Sequence, residues 1–286
     1  MSIFSIVILG IVQGLAELLP VSSSAHVVVT EKLMGLDPAS PPMTLLLVML
    51  HTGTMFAVIA YFWRTWRDTY FQSVAAFKAF AIQVIVATVL TGIIYEMISL
   101  VLGKTVFANT PKAQIEDLFG HLEFIAPALA AAGILILIAG LTTRGPGQTR
   151  SDDLTLGQSG IIGAVQGICL PFRGFSRSGA TISTGMLLKV SRRRVEAFSF
   201  ALAVVLTPPV VVREGWRLVK SNGLASTADL SHVVLMSAFG AVIAFAAGLA
   251  ALKWLSRWLE TDRWYLFGIY CLIAAGVVGW LHTQGY

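Results

Sequence analysis

The sequence predicts an all-α polytopic membrane protein with about six transmembrane helices and two re-entrant helical hairpins, arranged as an inverted-topology repeat. Three observations support this fold class. First, 56% of the 286 residues are hydrophobic and only 12% are charged, whereas soluble domains usually carry about 25% charged residues. Second, the mean hydropathy is +0.78. Third, long apolar runs alternate with short charged segments, as expected for a chain that crosses a bilayer repeatedly. These features exclude a soluble globular protein.

Six runs are apolar enough, and close enough to the roughly 20 residues that a bilayer requires, to span it as helices. Charged residues cluster between these runs, which is typical of loops at the membrane surface. The predicted spans are residues 44–63, 80–102, 124–141, 195–213, 232–252 and 264–282.

Two further stretches, residues 3–35 and 157–190, are hydrophobic but interrupted. Glycine and proline weaken a continuous helix, and polar groups facing lipid are costly. Broken segments are tolerated at membrane depth where they are buried in protein or line a wet cavity. We therefore predict two re-entrant helix–loop–helix hairpins. Their interrupting residues are Gly10, Gly14 and Pro20 in the first, and Gly167, Pro171, Gly174 and Gly179 in the second.

The two broken stretches resemble each other. Residues 8–15 (ILGIVQGL) align without gaps on residues 161–168 (IIGAVQGI), with five of the eight positions identical. Interrupted segments at matching positions of two halves indicate a binding site where the repeats meet. We predict a single membrane domain, residues 1–286, built from a first half, 1–150, and an inverted second half, 151–286.

Charge distribution gives an independent prediction of topology. With the N-terminus outside, twelve lysines and arginines fall in inner loops and six in outer loops, and this bias favours both termini outside. The inner residues are Arg64, Arg67, Lys78, Arg144, Arg150, Lys189, Arg192, Arg193, Arg194, Lys253, Arg257 and Arg263. The outer residues are Lys32, Lys104, Lys112, Arg213, Arg217 and Lys220.

The first hairpin carries a carboxylate, hydroxyls and an imidazole. Gln13 and Glu17 are four residues apart and share one face of a helix. Their oxygens suit a hard divalent cation, Mg²⁺ or Ca²⁺. After Pro20 come Ser22, Ser23 and Ser24, followed by His26. A serine could be the attacking group, and His26 could serve as general base, acid or nucleophile.

The second hairpin carries an arginine between small and hydroxyl residues, Arg173 to Thr181 (RGFSRSGAT). Glycines allow backbone amides to converge on an anion, and a helix N-terminus adds a favourable dipole. The guanidinium of Arg177 matches phosphate oxygens bidentately. The predicted phosphate-binding residues are Ser22, Ser24, Arg173, Gly174, Ser176, Ser178 and Thr181, together with Arg177.

Other polar residues have plainer interpretations. We interpret Arg192, Arg193 and Arg194, just before a span, as a cytoplasmic topology signal or a lipid-headgroup contact. His51 lies early in a span, and the sequence leaves open whether it faces the site or packs in the core. The positive charge of +5 does not indicate a nucleic-acid partner, because the basic residues form no face with interleaved aromatic residues.

Together the two motifs resemble those of the undecaprenyl pyrophosphate phosphatase family, the bacitracin-resistance type of lipid pyrophosphatase. Its first motif is similar to Gln13–Glu17 followed by residues 20–26 (PVSSSAH), and its second to residues 174–181 (GFSRSGAT). The resemblance implies hydrolysis of a phosphoric anhydride: undecaprenyl pyrophosphate becomes the monophosphate and so regenerates a cell-wall lipid carrier. It also implies a divalent-cation-dependent site that opens outward.

By position, the resemblance implies catalytic roles for Glu17, His26, Ser23 and Arg177. Glu17 matches the essential acid of the family, His26 its essential histidine, and Ser23 a candidate nucleophile. Ser176 and Thr181 match further site residues.

This chain departs from the family pattern at two positions. Gln13 stands at the variable first acid of the motif, where the family pattern permits glutamine, and it removes one charge from a metal site. Arg173 replaces the proline that opens the second motif and adds a positive charge beside the anion site, which could strengthen phosphate binding or adapt the site to a different polyprenyl phosphate.

A rival class is a polyprenyl-phosphate flippase, since transporters also use inverted repeats and broken helices. Translocation needs only anion binding, whereas hydrolysis also needs an acid, base or nucleophile such as His26 near Glu17. A structural scaffold gives no reason for ionisable residues in both hairpins. We expect a multi-pass protein of the bacterial plasma (inner) membrane, with a polyprenyl pyrophosphate substrate and membrane lipids as partners. The sequence leaves a homodimer open.

Overall fold

A computed structural model describes residues 2–37, 40–105, 121–143, 151–220 and 227–285. The predicted boundary at residue 150, and Lys112, Arg144 and Arg150 of the charge count, lie outside these ranges. Ten helices and no β-strand occur within the described residues. They are α1 (Ile3–Leu18), α2 (Ser23–Leu33), α3 (Pro41–Tyr70), α4 (Val74–Thr105), α5 (Leu122–Thr142), α6 (Leu156–Cys169), α7 (Arg177–Leu187), α8 (Arg192–Lys220), α9 (Thr227–Glu260) and α10 (Tyr265–Thr283).

Six of these helices, α3, α4, α5, α8, α9 and α10, are long and apolar enough to cross a membrane. They coincide with the six predicted spans, so the all-helical polytopic fold is confirmed. Several are longer than predicted, and α3 has 30 residues. At about 1.5 Å per residue, a helix of that length exceeds a hydrocarbon core of about 30 Å. A helix of this length therefore extends past the apolar layer at its ends, or it tilts within the layer.

The two interrupted stretches form two pairs of short helices. The first pair is α1 and α2, with 16 and 11 residues, and the second is α6 and α7, with 14 and 11 residues. Each helix is shorter than the roughly 20 residues that a full crossing requires. The predicted helix–loop–helix hairpins are confirmed, and their breaks lie at residues 19–22 and 170–176.

The repeated glycines set how the hairpins pack. A Cβ atom on Gly14 of α1 would lie 2.6 Å from the carbonyl oxygen of Ala244 in α9. A Cβ atom on Gly163 of α6 would lie 2.2 Å from the carbonyl oxygen of Ala87 in α4. Small residues let helix backbones approach this closely in membranes. The first helix of each hairpin therefore packs against a helix of the other half, while the half boundaries and their inversion in the bilayer stay predictions.

The arginine run at residues 192–194 binds protein. Arg192 donates hydrogen bonds to the carbonyl oxygens of Leu259, at 2.8 Å, and Thr143, at 3.0 Å. It also pairs with the carboxylate of Asp262. Because carbonyls at helix C-termini lack intrahelical donors, a guanidinium group satisfies them well. Arg192 thus ties the ends of α5 and α9 to the start of α8.

The neighbouring arginines are also engaged. Arg193 pairs with Glu260, with Nη2 2.6 Å from Oε1, and the guanidinium of Arg194 lies 4.4 Å from the ring centroid of Tyr70. This distance is within the range of a cation–π interaction. The guanidinium groups of Arg192 and Arg194 contact protein, and the predicted lipid-headgroup contact of the run stays a prediction. Their use as a topology signal stays a prediction.

Candidate active site

The loops of the two hairpins meet. The backbone N–H of Gly174 donates to Oγ of Ser24 at 3.3 Å, and the hydroxyl of Ser178 donates to the carbonyl oxygen of Leu19, also at 3.3 Å. These bonds join residues that are about 150 positions apart in the sequence. The expectation that the two polar segments come together is therefore confirmed by direct contacts.

Glu17, near the end of α1, lies at the centre of this junction. Its Oε1 atom accepts a hydrogen bond from Nη2 of Arg177 at 3.1 Å, which makes an ion pair between the hairpins. Its Oε2 atom accepts from the Ser23 hydroxyl at 2.5 Å and from Nε2 of Gln13 at 3.2 Å. The side chains of Glu17 and Arg177 are each only 17% exposed. One carboxylate thus connects an arginine, a hydroxyl and an amide.

His51 of α3 belongs to the same group. Its Nδ1 atom lies 3.0 Å from Nε2 of Gln13 and 3.7 Å from Oε2 of Glu17. The sequence left its location open between site and core, and the structure places it at the site. The sequence could have indicated this location, because an ionisable residue inside a membrane span usually has a functional role.

A small cleft opens over Glu17 and Arg177, between α3 and α8. Its lining combines polar and apolar residues. The polar residues are Glu17, His51, Thr54, Arg177 and Thr207, and the apolar residues are Leu18, Met55, Val58, Ala203 and Val204. Thr207 was not predicted, because hydroxyl residues within apolar spans often satisfy their own helix carbonyls, as Thr54 and Thr207 do here.

Arg177 has hydrogen-bonding capacity to spare. Its Nη1 atom is buried and has no hydrogen-bond partner within the described residues. A buried donor without a partner is costly, and an oxyanion would satisfy it. Arg177 also lines the cleft, as does Glu17, so an anion in the cleft would lie next to both.

The hydroxyls around Arg177 are used within the protein. Ser176 caps α7 by accepting from the N–H of Gly179 at 3.2 Å. Thr181 donates to the carbonyl oxygen of Arg177 at 2.8 Å, and its Oγ1 lies 2.6 Å from Oγ of Ser199. In this arrangement Ser176, Thr181 and the already engaged Ser178 hold the start of α7. Their predicted contacts with phosphate stay predictions.

The turn of the first hairpin has an unusual backbone. Ser22 adopts φ +67°, a left-handed conformation that non-glycine residues seldom take. Strain of this kind persists where surrounding contacts hold it, often at functional sites. Here the Oγ atoms of Ser22 and Ser24 are 3.2 Å apart, and Ser24 in turn contacts the second hairpin. The turn places Ser23, the first residue of α2, against the carboxylate of Glu17.

His26 contacts a different helix. Its Nδ1 atom lies 2.8 Å from the carbonyl oxygen of Ser22, and its Nε2 atom lies 2.6 Å from the hydroxyl of Tyr270 in α10. The two rings also stack, with centroids 5.7 Å apart. Both ring nitrogens are therefore occupied by groups other than Glu17 and Ser23. Tyr270 was missed because one aromatic residue in an apolar span carries no separate signal.

The side chains around Glu17 carry oxygen atoms, the ligand type that a hard divalent cation such as Mg²⁺ or Ca²⁺ prefers. Mg²⁺ is commonly held by one or two carboxylates together with substrate phosphates and water. Glu17 supplies one carboxylate, Ser23 a hydroxyl oxygen, and Gln13 an amide whose oxygen and nitrogen are interchangeable by a flip. Among the residues that the structure describes, no group of three or more His, Cys, Asp or Glu side chains forms a complete site. The donor set therefore fits a cation that arrives with a phosphorylated ligand.

The family described as "Bacitracin resistance protein BacA" matches residues 6–278, nearly the whole chain. The chain belongs to this family. Among its relatives, the chain is 54% identical over 281 residues to "Undecaprenyl-diphosphatase 2" of Acinetobacter baylyi, covering 97% of each chain. It is 31% identical to "Undecaprenyl-diphosphatase" of Rhodopirellula baltica, covering 98% of each, and 32% identical to that of Desulfosudis oleivorans, covering 96% of this chain and 97% of the relative. The resemblance to this BacA family is therefore confirmed.

Proposed function

We propose that this BacA-family chain hydrolyses undecaprenyl pyrophosphate to undecaprenyl phosphate and inorganic phosphate, recycling a lipid carrier for cell-wall synthesis. The observation that carries the proposal is the ion pair between Glu17 and Arg177, with the Ser23 hydroxyl on the same carboxylate. This arrangement unites an anion-binding group, a base and a nucleophile. The relatives that match over nearly the full chain carry the name of this activity.

Substrate binding is assigned to both hairpins. The unpartnered Nη1 atom of Arg177 would donate to a phosphate oxygen. Arg173 adds a second positive charge on the same hairpin. Glu17 and Gln13 would hold a divalent cation, Mg²⁺ or Ca²⁺, which when bound neutralises negative charge on the pyrophosphate. The apolar residues that line the cleft would contact the first isoprene units.

In the proposed chemical step, Oγ of Ser23 attacks the terminal phosphorus of the pyrophosphate. The Ser23 proton passes to Oε2 of Glu17, 2.5 Å away. The bond between this phosphorus and the bridging oxygen breaks, and undecaprenyl phosphate leaves with the bonding electrons. Water then attacks the phosphorus of the phosphoserine, and the bond between phosphorus and Oγ breaks. The proton held by Glu17 returns to Oγ, which restores the Ser23 hydroxyl, and the proton lost by the water leaves with the inorganic phosphate. Arg177 stabilises the negative charge on the transferred group.

His26 is the alternative nucleophile, and a covalent intermediate separates the two possibilities. We expect Ser23→Ala to lower kcat by about 100- to 1,000-fold and to abolish a phosphoenzyme trapped by rapid quench in neutral detergent, which preserves both phosphoserine and phosphohistidine, because a general base without its nucleophile is ineffective. The control is Ser2→Ala, at the start of α1. An acid-labile phosphohistidine that persists in Ser23→Ala and is lost in His26→Ala would instead assign the attack to His26.

The six apolar helices make the chain a multi-pass membrane protein. We assign it to the bacterial plasma membrane with both termini outside, because the excess of basic residues then falls on the cytoplasmic side. The site is assigned to open outward, where undecaprenyl pyrophosphate would enter from the surrounding lipid. A homodimer stays a hypothesis.

Phosphate release from the purified protein tests the proposal against the flippase alternative. In detergent no second compartment exists, so a protein that only translocates lipid yields no phosphate. We expect phosphate release from undecaprenyl or farnesyl pyrophosphate with Mg²⁺ or Ca²⁺, suppression by a chelator, and little release from the monophosphates. Absence of phosphate release in detergent, combined with lipid movement across vesicles, would contradict hydrolysis. The flippase is not favoured, since binding alone does not explain a hydroxyl on the Glu17 carboxylate.

A further inference from the structure

Glu31, in the last turn of α2, is a buried carboxylate that the proposed mechanism does not use. The residue is 1% exposed, and its Oε1 atom has no hydrogen-bond partner within the described part of the chain. A negative charge near a helix C-terminus is also unfavourable, because the helix dipole is negative there. A carboxylate in such a position needs a nearby cation.

The contact between the hairpins places Arg173 next to the face of α2 that carries Ser24 and Glu31. Ser24 and Glu31 are seven residues apart, so they lie on one face of the helix, separated by about 10 Å along its axis. The N–H of Gly174 donates to Oγ of Ser24 at 3.3 Å. Arg173 is the adjacent residue, and its extended side chain spans about 7 Å. It can therefore run along this face from Ser24 towards Glu31.

The charge distribution agrees with this placement. Arg173 is within electrostatic range of the Glu31 carboxylate and of His51, which lines the cleft. Lys32, the next residue on α2, projects about 100° around the helix from Glu31 and so faces another direction. Arg173 is the cation that both the backbone contact and the charge distribution direct towards Glu31.

We propose that Glu31 is a positioning residue that holds the guanidinium of Arg173 beside the cleft, where Arg173 binds the second phosphate of a pyrophosphate. The identity of the ligand rests on the proposed function. Arg177 binds one phosphate group and Arg173 the other, so the pair of arginines favours a pyrophosphate over a monophosphate. After hydrolysis, the monophosphate product engages one arginine fewer and dissociates more readily.

The test is the binding of inorganic pyrophosphate and of inorganic phosphate to the purified full-length protein, measured by calorimetry. We expect the wild type to bind pyrophosphate more tightly than phosphate. Arg173→Gln should weaken pyrophosphate binding about tenfold, the usual effect of losing a charge-assisted hydrogen bond, with a smaller change for phosphate. Glu31→Gln should weaken it several-fold, and Glu31→Asp should restore part of the loss.

The double variant distinguishes positioning from a separate structural role. If Glu31 acts through Arg173, Glu31→Gln combined with Arg173→Gln binds pyrophosphate as Arg173→Gln alone does. Additive losses, or wild-type pyrophosphate preference in Glu31→Gln, would overturn the proposal. Lys32→Gln is the matched control and should bind both anions as the wild type does. The measured quantity is binding, so this test is separate from the test of hydrolysis. A wild-type protein that binds pyrophosphate but releases no phosphate from undecaprenyl pyrophosphate would contradict the proposed hydrolysis and leave the roles of Glu31 and Arg173 in binding intact.

Discussion

Glu17→Gln is expected to lower kcat/KM for undecaprenyl pyrophosphate by about 1,000-fold, within the range for loss of a general base. The amide keeps the size of the side chain but removes its negative charge. Three interactions then fail together: the ion pair with Arg177 at 3.1 Å, proton acceptance from Ser23 at 2.5 Å, and a carboxylate ligand for a cation. The measurement is steady-state phosphate release from the purified variant.

Glu96→Gln provides the matched control for this prediction. Glu96 is exposed on α4 and lies outside the cleft, so the same chemical change there should leave kcat/KM within about twofold of the wild type, as surface substitutions generally do. Thermal unfolding in detergent shows whether each variant is folded. A folded Glu17→Gln protein with more than a tenth of wild-type activity would rule out Glu17 as the base.

Arg177→Ala is expected to reduce kcat/KM by a similar factor, about 1,000-fold, as seen when a donor to a developing oxyanion is removed. The variant loses the buried Nη1 donor and also leaves Glu17 without its cation. Arg177→Lys keeps the charge but not the planar fork, so we expect it to recover only part of the activity. Phosphate release and pyrophosphate binding should fall together.

Arg193→Ala is the matched control for Arg177. Arg193 is a largely exposed arginine whose ion pair with Glu260 lies away from the cleft, and such pairs contribute little. Its loss should leave activity unchanged. If Arg177→Lys were as active as the wild type, bidentate recognition of phosphate by Arg177 would be excluded. The ion pair with Glu17 would then be its main role.

The internal repeat shows how two similar sequences acquire different roles. Gln13 and Gln166 occupy matching positions, and both are buried. Gln13 faces Glu17 and His51, whereas Nε2 of Gln166 donates to Oγ1 of Thr91 at 3.1 Å, between α6 and α4. The residue that matches Glu17 in the second half is Leu170. The carboxylate is therefore present in one hairpin only, and the other contributes the arginine.

The sequence also predicted the six spans and the two hairpins, for a physical reason. A lipid environment demands long apolar helices, and it tolerates glycine, proline and charge only where protein covers them. These rules act on local composition, so reading along the chain was sufficient. The same reasoning selected Glu17, His26 and Arg177 as ionisable groups at membrane depth, whereas the choice of Ser23 among the three serines rested on the resemblance to the family.

Tertiary structure alone decided which of these groups meet. It placed Ser23 on Glu17 and turned His26 towards Tyr270, although both follow the same turn in the sequence. It also brought His51 to the site. Each outcome depends on contacts between residues that are far apart along the chain, and no local pattern encodes such distances.

The arginines illustrate the same division. Sequence rules predicted that Arg177 binds phosphate and that Arg192 is a topology signal or a headgroup contact, but they did not predict that Arg192 pairs with Asp262 and two helix ends. By itself, the sequence determined the membrane fold, the two hairpins and the types of residue available for chemistry. Only the tertiary structure decided their partners, because hydrogen bonds and ion pairs depend on distances of about 3 Å that long-range packing sets.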